Sequence, residues 1–182
     1  MTITLMADAA PTTPWTEVDE KGSSLTVDAF LTTLMSQVGN ALRRTLTVPY
    51  AEQFGLTVSE WRVLSLVAHA GRIAFGELVI QSTSDKALVS RTLRLLESRG
   101  LVRLEPEHDK PRTKLWCAIT PQGELLHSEV IPVARARQAA AIRALAPEER
   151  DAMYRALVHL RDYCQQDEKP LAPAGDSDGS GL

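Results

Sequence analysis

The apolar positions of this 182-residue chain follow a helical period over most of its length. Between residues 25 and 47 an apolar side chain recurs every three or four positions, which predicts a long helix with one hydrophobic stripe. We expect Pro49 to end this helix, because proline has no amide hydrogen to donate. The stripe consists of Val27, Phe30, Leu31, Leu34, Met35, Val38 and Leu42.

The same period predicts three helices between residues 56 and 100. The first is capped by Thr57 or Ser59 and ends at Gly71, and a short helix follows over about 75–82. The third opens in the stretch TSDK and ends at Gly100. The positions that we expect to be buried are Trp61, Leu64 and Val67 on the first helix and Val89, Leu93 and Leu96 on the third.

After Gly100 the pattern changes to alternation of apolar and polar residues around the tip PEHDKPR. This pattern predicts a β-hairpin with an exposed loop. Thr120 and Pro121 then form a helix start, and a long helix runs to about residue 145, with a bend expected at Pro132. Pro147 starts a last helix, whose heptad-like stripe is Met153, Leu157, Leu160 and Cys164.

The order helix, short helix, helix and hairpin indicates a winged helix-turn-helix. The predicted fold class is therefore mainly α (α+β), with a winged helix-turn-helix DNA-binding region over 56–119. The apolar stripes of the first and last helices exceed what this small unit can cover, so we expect 25–50 and 121–165 to be dimerisation helices. We expect residues 1–24 to form a poorly structured arm and residues 166–182 to be a disordered tail.

Composition is that of a soluble globular protein, with 44% hydrophobic and 24% charged residues. No apolar run is long enough to span a bilayer and the start of the chain lacks the features of a secretory signal, so we expect a cytoplasmic protein. Cys117 and Cys164 match no metal spacing, and we interpret both as buried structural residues.

Basic residues are concentrated between positions 86 and 114. This segment holds eight Lys or Arg and four Asp or Glu, a balance of +4 in a chain of net charge −3. Such polarity favours DNA binding, because phosphate neutralisation supplies much of the affinity. If the apolar stripe of the third helix faces inward, its opposite face meets the duplex. The predicted DNA-binding residues are Lys86, Ala87, Ser90, Arg91 and Arg94 on that helix and Lys110, Arg112 and Lys114 on the wing.

The segments LTVSEWRVLSLVA and DKALVSRTLRLLESRGLVRL, with a helix start at Thr120-x-x-Gly123, resemble the MarR family of bacterial winged-helix regulators. The resemblance covers roughly residues 30–165. It implies an obligate homodimer with intertwined terminal helices, two recognition helices on a pseudo-palindromic operator, and usually repression. One departure is the wing, where Arg112 follows Asp109 by three positions and Thr120 follows it by eleven, so the wing is slightly longer than is usual in the family.

Many relatives release DNA when a small phenolic or aromatic acid binds between their dimerisation and DNA-binding regions. The resemblance thus implies an effector pocket, and we expect an aromatic carboxylate to be the ligand. The competing interpretation is that Trp61 belongs to the core and Arg43 is solvated. The candidate effector-binding residues are Ser36, Gln37, Asn40, Arg43 and Trp61.

Other functions find less support in the sequence. The four histidines lie on separate segments, and no hydrolase, phosphate-loop or metal-ligand motif is present, so we expect no enzyme activity, no cofactor and no metal. Two alternatives to an aromatic effector remain open: a regulator that senses redox or another signal, and a winged helix that binds only proteins. The second would not need Ser90, Arg91 and Arg94 to be exposed together.

Overall fold

A computed structural model describes residues 13–107 and 114–167 of the chain. A 3-10 turn at Val27–Ala29 and an extended Phe30 precede the first α-helix, so the prediction that this helix starts at about residue 25 is wrong. The helices are α1 (Leu31–Leu42), α2 (Val48–Gln53), α3 (Val58–Ala70), α4 (Phe75–Ser82), α5 (Lys86–Ser98), α6 (Pro121–Arg143) and α7 (Pro147–Asp167). The strands are β1 (Arg72–Ala74), β2 (Val102–Pro106) and β3 (Leu115–Ile119). The chain divides into two compact units, residues 1–134 and 135–182.

The prediction that Pro49 ends the first helix is wrong. A π-helical turn at Arg43–Thr47 separates α1 from α2, and Pro49 lies in the first turn of α2. The amide of Val48 donates to the carbonyl of Arg43, five residues back. Pro49 is tolerated because it lies in the first turn of α2, directly after the π-helical turn, where the regular bonding to the carbonyl four residues back is already interrupted. The helical path therefore continues to Gln53, beyond the predicted boundary at residue 50.

The helices of the central region begin and end where the sequence predicts. A capping box joins Thr57 and Glu60 at the start of α3, and Gly71 with φ 68° follows its last turn. The Asp85 carboxylate accepts the amide of Leu88 at 2.8 Å and so caps α5. Gly100, with φ 69°, ends this helix in the left-handed conformation that glycine adopts without steric cost.

The predicted hairpin forms, and a third strand joins it. The sheet is antiparallel with order β1-β3-β2, so β3 lies in the centre. The sequence pattern does not predict β1, because three residues are too few to show alternation. Its register pairs Arg72 with Ala118 and Ala74 with Trp116. The pairing attaches the wing to the end of α3, since β1 begins directly after Gly71.

One hydrophobic core in the first unit holds the winged helix together. Leu64 and Val67 of α3, Leu78 of α4, and Leu93 and Leu96 of α5 are almost completely buried. The start of α6 packs against the chain that precedes β2, where only glycine fits: a Cβ at Gly123 would overlap the carbonyl oxygen of Leu101. The core therefore determines which face of α5 remains at the surface.

The N-terminal arm contains turns over residues 13–24, and the Trp15 indole donates to the Ala29 carbonyl at 2.7 Å.

In the second unit, α7 includes Gln166 and Asp167, two residues of the predicted tail; residues 168–182 lie outside the described residues. Cys164 is exposed, contrary to prediction, because no side chain of α7 from 147 to 166 is buried. Among the described residues, no helix has the length and apolar character to cross a membrane.

Candidate nucleic-acid interface

The outer face of α5 brings together the five residues predicted there. Val89, Leu93 and Leu96 are buried on the opposite side of the helix, as expected from their spacing. The outward face is consequently rich in cations and hydrogen-bond donors. Lys86, Ala87, Arg91 and Arg94 are exposed, and Ser90 is half-buried between them.

Polar contacts hold α5 at both of its ends. The Asp85 carboxylate caps the N-terminus. Near the C-terminus, the Glu97 carboxylate accepts the backbone amide of Leu104 at 3.1 Å, which ties the helix to β2. The C-terminal end of α5 and the wing strand β2 are therefore linked by a direct hydrogen bond.

An ion pair connects the end of α5 to the start of α3. Arg99 Nη1 donates to Glu60 Oε1 at 2.8 Å, and Glu60 Oε2 accepts the amide of Thr57 at 2.8 Å. Burial by itself would raise the pKa of Glu60, but the hydrogen bonds from Thr57 and Arg99 outweigh burial, so the pKa lies below its usual 4.5. The Glu60 carboxylate is thus ionised at neutral pH, and its ion pair with Arg99 joins α3 to the end of α5. Sequence reasoning missed this pair, because its members are 39 residues apart.

The wing presents cations on the solvent side of the sheet. Lys114 is exposed, as predicted, whereas Lys110, Arg112 and Asp109 of the predicted tip lie outside the described residues. Lys114 Nζ lies 4.4 Å from the centre of the Trp116 ring, and the Arg72 guanidinium carbon lies 4.1 Å from it. Two cations therefore contact one aromatic side chain at the base of the wing.

Glu105 joins two arginines on this same side of the sheet. Its carboxylate accepts Arg72 Nε at 3.1 Å and pairs with Arg103 at 2.6 Å. The hydrogen bonds from Arg103 and then Arg72 keep the pKa of Glu105 below its usual value. Sequence reasoning missed this group as well, although one signal could have found it: alternation places Arg103 and Glu105 on one face of β2, and Trp116 lies opposite Glu105 on the paired strand.

The candidate effector-binding residues do not form one enclosed group in the single chain. Ser36, Gln37 and Asn40 of α1 and Arg43 of the π-helical turn are exposed. Trp61 is buried: its ring stacks on His127 at 5.7 Å between centroids and meets the Tyr50 ring edge-on at 5.8 Å.

The cysteine in the sheet is a core residue, as predicted. Cys117 is fully buried in β3, and burial, with a smaller contribution from Glu97, raises the pKa of its thiol to about 11. A thiol with this pKa is protonated at neutral pH and is a weak nucleophile. In the parts of the chain that the structure describes, no three His, Cys, Asp or Glu side chains are grouped as metal ligands.

Two helices carry apolar stripes that this chain leaves exposed. The apolar side chains of the α1 stripe are 38–46% exposed and recur at intervals of four, three and four residues. On α7, Met153 and Leu157 are 41% and 36% exposed, and Leu160 and Cys164 continue the same spacing. The α1 stripe is Leu31, Met35, Val38 and Leu42.

Comparisons with known proteins agree with this geometry. Residues 54–110 match the MarR family. A curated relative, the HTH-type transcriptional regulator FarR of Neisseria gonorrhoeae, is 34% identical over 83 residues, which are 45% of this chain and 56% of the relative. The chain thus spans little more than half the length of this relative.

Solved structures share the fold. A MarR/EmrR family transcriptional regulator from Acinetobacter sp. ADP1 matches with a TM-score of 0.68 and 24% identity over 78% of this chain and 99% of that one. NadR in complex with 4-hydroxyphenylacetate matches with a TM-score of 0.62 and 24% identity over 75% and 95% of the two chains. The mainly α winged-helix fold and the resemblance to the MarR family are confirmed, and the FarR relative and the Acinetobacter neighbour are both transcriptional regulators.

The Glu60–Arg99 ion pair predicts a pH-dependent stability. Because the pKa of Glu60 is lowered on folding, its contribution to the free energy of unfolding is present above about pH 4.5 and is lost as the pH falls through the lower folded-state pKa. We expect Glu60→Gln to lower the free energy of unfolding by about 1.5–3 kcal/mol at pH 7, and we expect the difference from the wild type to shrink below pH 4.5. Urea unfolding at a fixed protein concentration across this pH range measures both effects.

Glu124→Gln is the matched control, since Glu124 also lies in the first turn of its helix but is exposed. Its effect should be a few tenths of a kcal/mol. Two results would contradict the role assigned to the Glu60–Arg99 ion pair. One is an equal decrease in the free energy of unfolding for both variants, and the other is a decrease for Glu60→Gln that stays the same at acid pH.

Proposed function

We propose that this MarR-like chain is a homodimeric, sequence-specific DNA-binding transcriptional regulator, a repressor that a small aromatic or phenolic acid releases from its operator. The observation that carries the proposal is the outer face of α5, where Lys86, Arg91 and Arg94 are exposed together above a fully buried apolar stripe. We infer that the protein acts in the cytoplasm, where the DNA is.

The chemistry of this face suits the major groove. An arginine can donate two parallel hydrogen bonds to the O6 and N7 atoms of guanine, a serine can bond base edges or phosphates, and a lysine neutralises phosphate. Arg91 and Arg94 lie three residues apart on one helix and thus can reach neighbouring base pairs. In this arrangement Ser90 and Ala87 would face the groove floor, where larger side chains would hold the helix away.

The apolar stripes of α1 and α7 support a dimer. Leu31, Met35, Val38 and Leu42 keep a four-three-four spacing that is typical of helices packed against partner helices. We propose that a second copy of the chain covers both stripes, within the dimerisation helices of 25–50 and 121–165. The two copies of the DNA-binding region, 56–119, would then contact half-sites about one helical turn apart on a pseudo-palindromic operator.

The effector proposal rests on the polar side of α1. Ser36, Gln37 and Asn40 offer hydrogen bonds, and Arg43 offers a positive charge for a carboxylate. They are exposed in one chain, and a second copy would turn this surface into a crevice. The fold neighbour NadR was solved with 4-hydroxyphenylacetate. Trp61 is buried and stacked on His127, so the exposed polar residues of α1 and Arg43 carry this proposal.

Arg91→Ala tests the proposed recognition of DNA. Loss of a bidentate contact to a base should weaken specific binding by about 1–3 kcal/mol. It should also relax the preference for one particular base at one position of the operator. Fluorescence anisotropy with an operator duplex and a scrambled duplex measures both quantities. Arg161→Ala, an exposed arginine of α7, is the control and should bind as the wild type does. Unchanged affinity and preference in a folded Arg91→Ala dimer would show that α5 does not recognise bases.

Leu157→Asp combined with Leu160→Asp tests the proposed dimer. Two carboxylates on the α7 stripe should prevent its burial, because charged groups are costly to bury without partners. Light scattering after size exclusion should show monomers that no longer bind operator DNA. Ile80→Asp places a carboxylate at an apolar residue of α4 that is 77% exposed, and this control should remain dimeric. A dimeric double variant that binds DNA would place the interface elsewhere.

Thermal shift with substituted benzoates and hydroxyphenylacetates tests the proposed effector. A ligand at 100 times its dissociation constant should stabilise the protein by about 2.7 kcal/mol, and it should weaken operator binding. Arg43→Gln should abolish the shift, whereas Arg44→Gln, at the neighbouring exposed arginine, should preserve it. No shift with any of these acids, or an equal shift in Arg43→Gln, would contradict the proposed site.

A further inference from the structure

The turn between α4 and α5 holds a residue in a conformation that its side chain disfavours. Thr83, which directly follows α4, has φ 50° and ψ 34°, in the left-handed helical region. Among the described residues, the other positions with positive φ are all glycines. A β-branched side chain in this region is a steric outlier, because its Cβ lies too close to the following carbonyl oxygen. The backbone is therefore strained three positions before α5 begins at Lys86.

Three side-chain donors converge on one carbonyl in this turn. The shared acceptor is the carbonyl oxygen of Ser82, the last residue of α4. Its donors are Thr83 Oγ1 at 2.8 Å, Ser84 Oγ at 3.1 Å and Arg62 Nη1 at 3.4 Å. A carbonyl oxygen has two lone pairs, so three donors leave it little freedom to turn. Since this carbonyl belongs to the peptide unit that precedes Thr83, the same contacts also hold the backbone of Thr83.

Arg62 connects the turn to helix α3. Its neighbours Trp61 and Val63 are buried in the core, so the backbone of Arg62 is firmly anchored. Its guanidinium lies at the C-terminal end of α4, where a positive charge is favourable because the last carbonyls of a helix carry the negative end of its dipole. Ser82 is buried as well, and its hydroxyl donates to the Val79 carbonyl at 3.0 Å. The end of α4 is thus held from within the core and through Arg62.

Stability alone does not explain a threonine at this position. A glycine adopts a positive φ without steric cost, and glycines occupy the left-handed positions after α3 and α5, at Gly71 and Gly100. A side chain at positive φ destabilises the folded chain by more than it gains from restricting the unfolded one. What Thr83 adds is a hydroxyl bonded to the adjacent carbonyl and a backbone with few alternatives. Strain of this kind is concentrated at functional sites.

The turn determines the direction in which the chain enters α5. The buried stripe of α5 sets the rotation of the helix about its axis, whereas the tilt of that axis depends on the contacts at its two ends. The first residues of a recognition helix contact base edges, and hydrogen bonds to bases weaken steeply when donor and acceptor are displaced or misaligned. Attraction between a cation and a phosphate falls off slowly with distance. A change of tilt should therefore weaken specific binding far more than non-specific binding.

We propose that Thr83 and Arg62 are positioning residues for base recognition, which hold the α4–α5 turn in its left-handed form through the Ser82 carbonyl and so set the tilt of α5 in the major groove. This inference rests on the proposed DNA-binding function. Neither residue contacts DNA in this arrangement. The strain at Thr83 lowers the stability of the fold, and in exchange the turn has one defined conformation.

Thr83→Gly tests the proposal without disturbing the fold. The glycine adopts the same φ without strain, so the variant should remain folded and dimeric by circular dichroism and size exclusion. It loses the hydroxyl bond and gains alternative backbone conformations. Affinity for an operator duplex, measured by fluorescence anisotropy, should fall about tenfold, as expected when a base contact is displaced. Affinity for a scrambled duplex should change by less than about twofold, because phosphate contacts carry no base identity.

Conservative variants show whether the hydroxyl and the guanidinium are responsible. Thr83→Ser keeps the hydroxyl and should bind the operator nearly as the wild type does. Arg62→Met removes the donor but keeps the aliphatic stem, and it should reduce the preference for the operator as Thr83→Gly does. Arg62→Lys retains a charged donor and should restore most of this preference. Arg161→Met, at an exposed arginine of α7, is the matched control and should leave binding unchanged.

The outcomes distinguish this inference from the proposed function. A wild-type protein that binds no duplex at low salt would overturn both. If Arg91→Ala loses the preference for the operator while Thr83→Gly and Arg62→Met keep it, the positioning role alone is overturned. Equal weakening on the operator and the scrambled duplex would also overturn it. The proposal requires a selective loss of operator binding in Thr83→Gly and Arg62→Met, with recovery in Thr83→Ser and Arg62→Lys.

Discussion

The burial of one face of α5 is the constraint on which the rest of the structure depends. Val89, Leu93 and Leu96 lie almost completely out of solvent in the core with α3 and α4. Removing such side chains from water is worth about 1.5–3 kcal/mol each, so the helix has one strongly preferred rotation about its axis. That rotation points Arg91 and Arg94 outward. The proposed recognition surface is therefore a consequence of core packing rather than of contacts among the polar residues themselves.

Polar contacts then set the position of α5 along its axis. The Asp85 cap defines its start, and the left-handed Gly100 turns the chain directly into β2. The Glu60–Arg99 ion pair fixes the end of α5 to the start of α3, a helix whose buried Trp61 also belongs to the core. Movement of α3 would consequently be transmitted to α5 through a short and largely rigid path. We propose this path as the route by which a ligand near α1 alters DNA binding.

Signals that act between neighbouring residues were sufficient to predict much of the fold. Local sequence predicted the opening of α5 in the stretch TSDK, the two glycine terminations and the stripe of α5, and it left Thr57 and Ser59 as alternative caps of α3. Features that depend on distant partners were missed: β1 exists only because Arg72–Ala74 pair with β3, and Arg99 meets Glu60 across 39 residues. The π-helical turn was missed because nothing in the sequence Arg43–Thr47 distinguishes a bond to the fifth residue from one to the fourth. The exposure of Cys164 depends on what covers α7, which periodicity does not reveal.

The proposed binding of DNA rests on the cationic outer face of α5. A net charge of −3 for the whole chain discourages indiscriminate adsorption to nucleic acid. The most direct test is a gel-shift titration of the wild-type protein on the duplex upstream of its own gene, over a series of salt concentrations. We expect a discrete complex at low salt that dissociates steeply as salt rises and that random DNA displaces poorly. The absence of any complex at low salt, on this duplex or on any other, would contradict DNA binding by this protein.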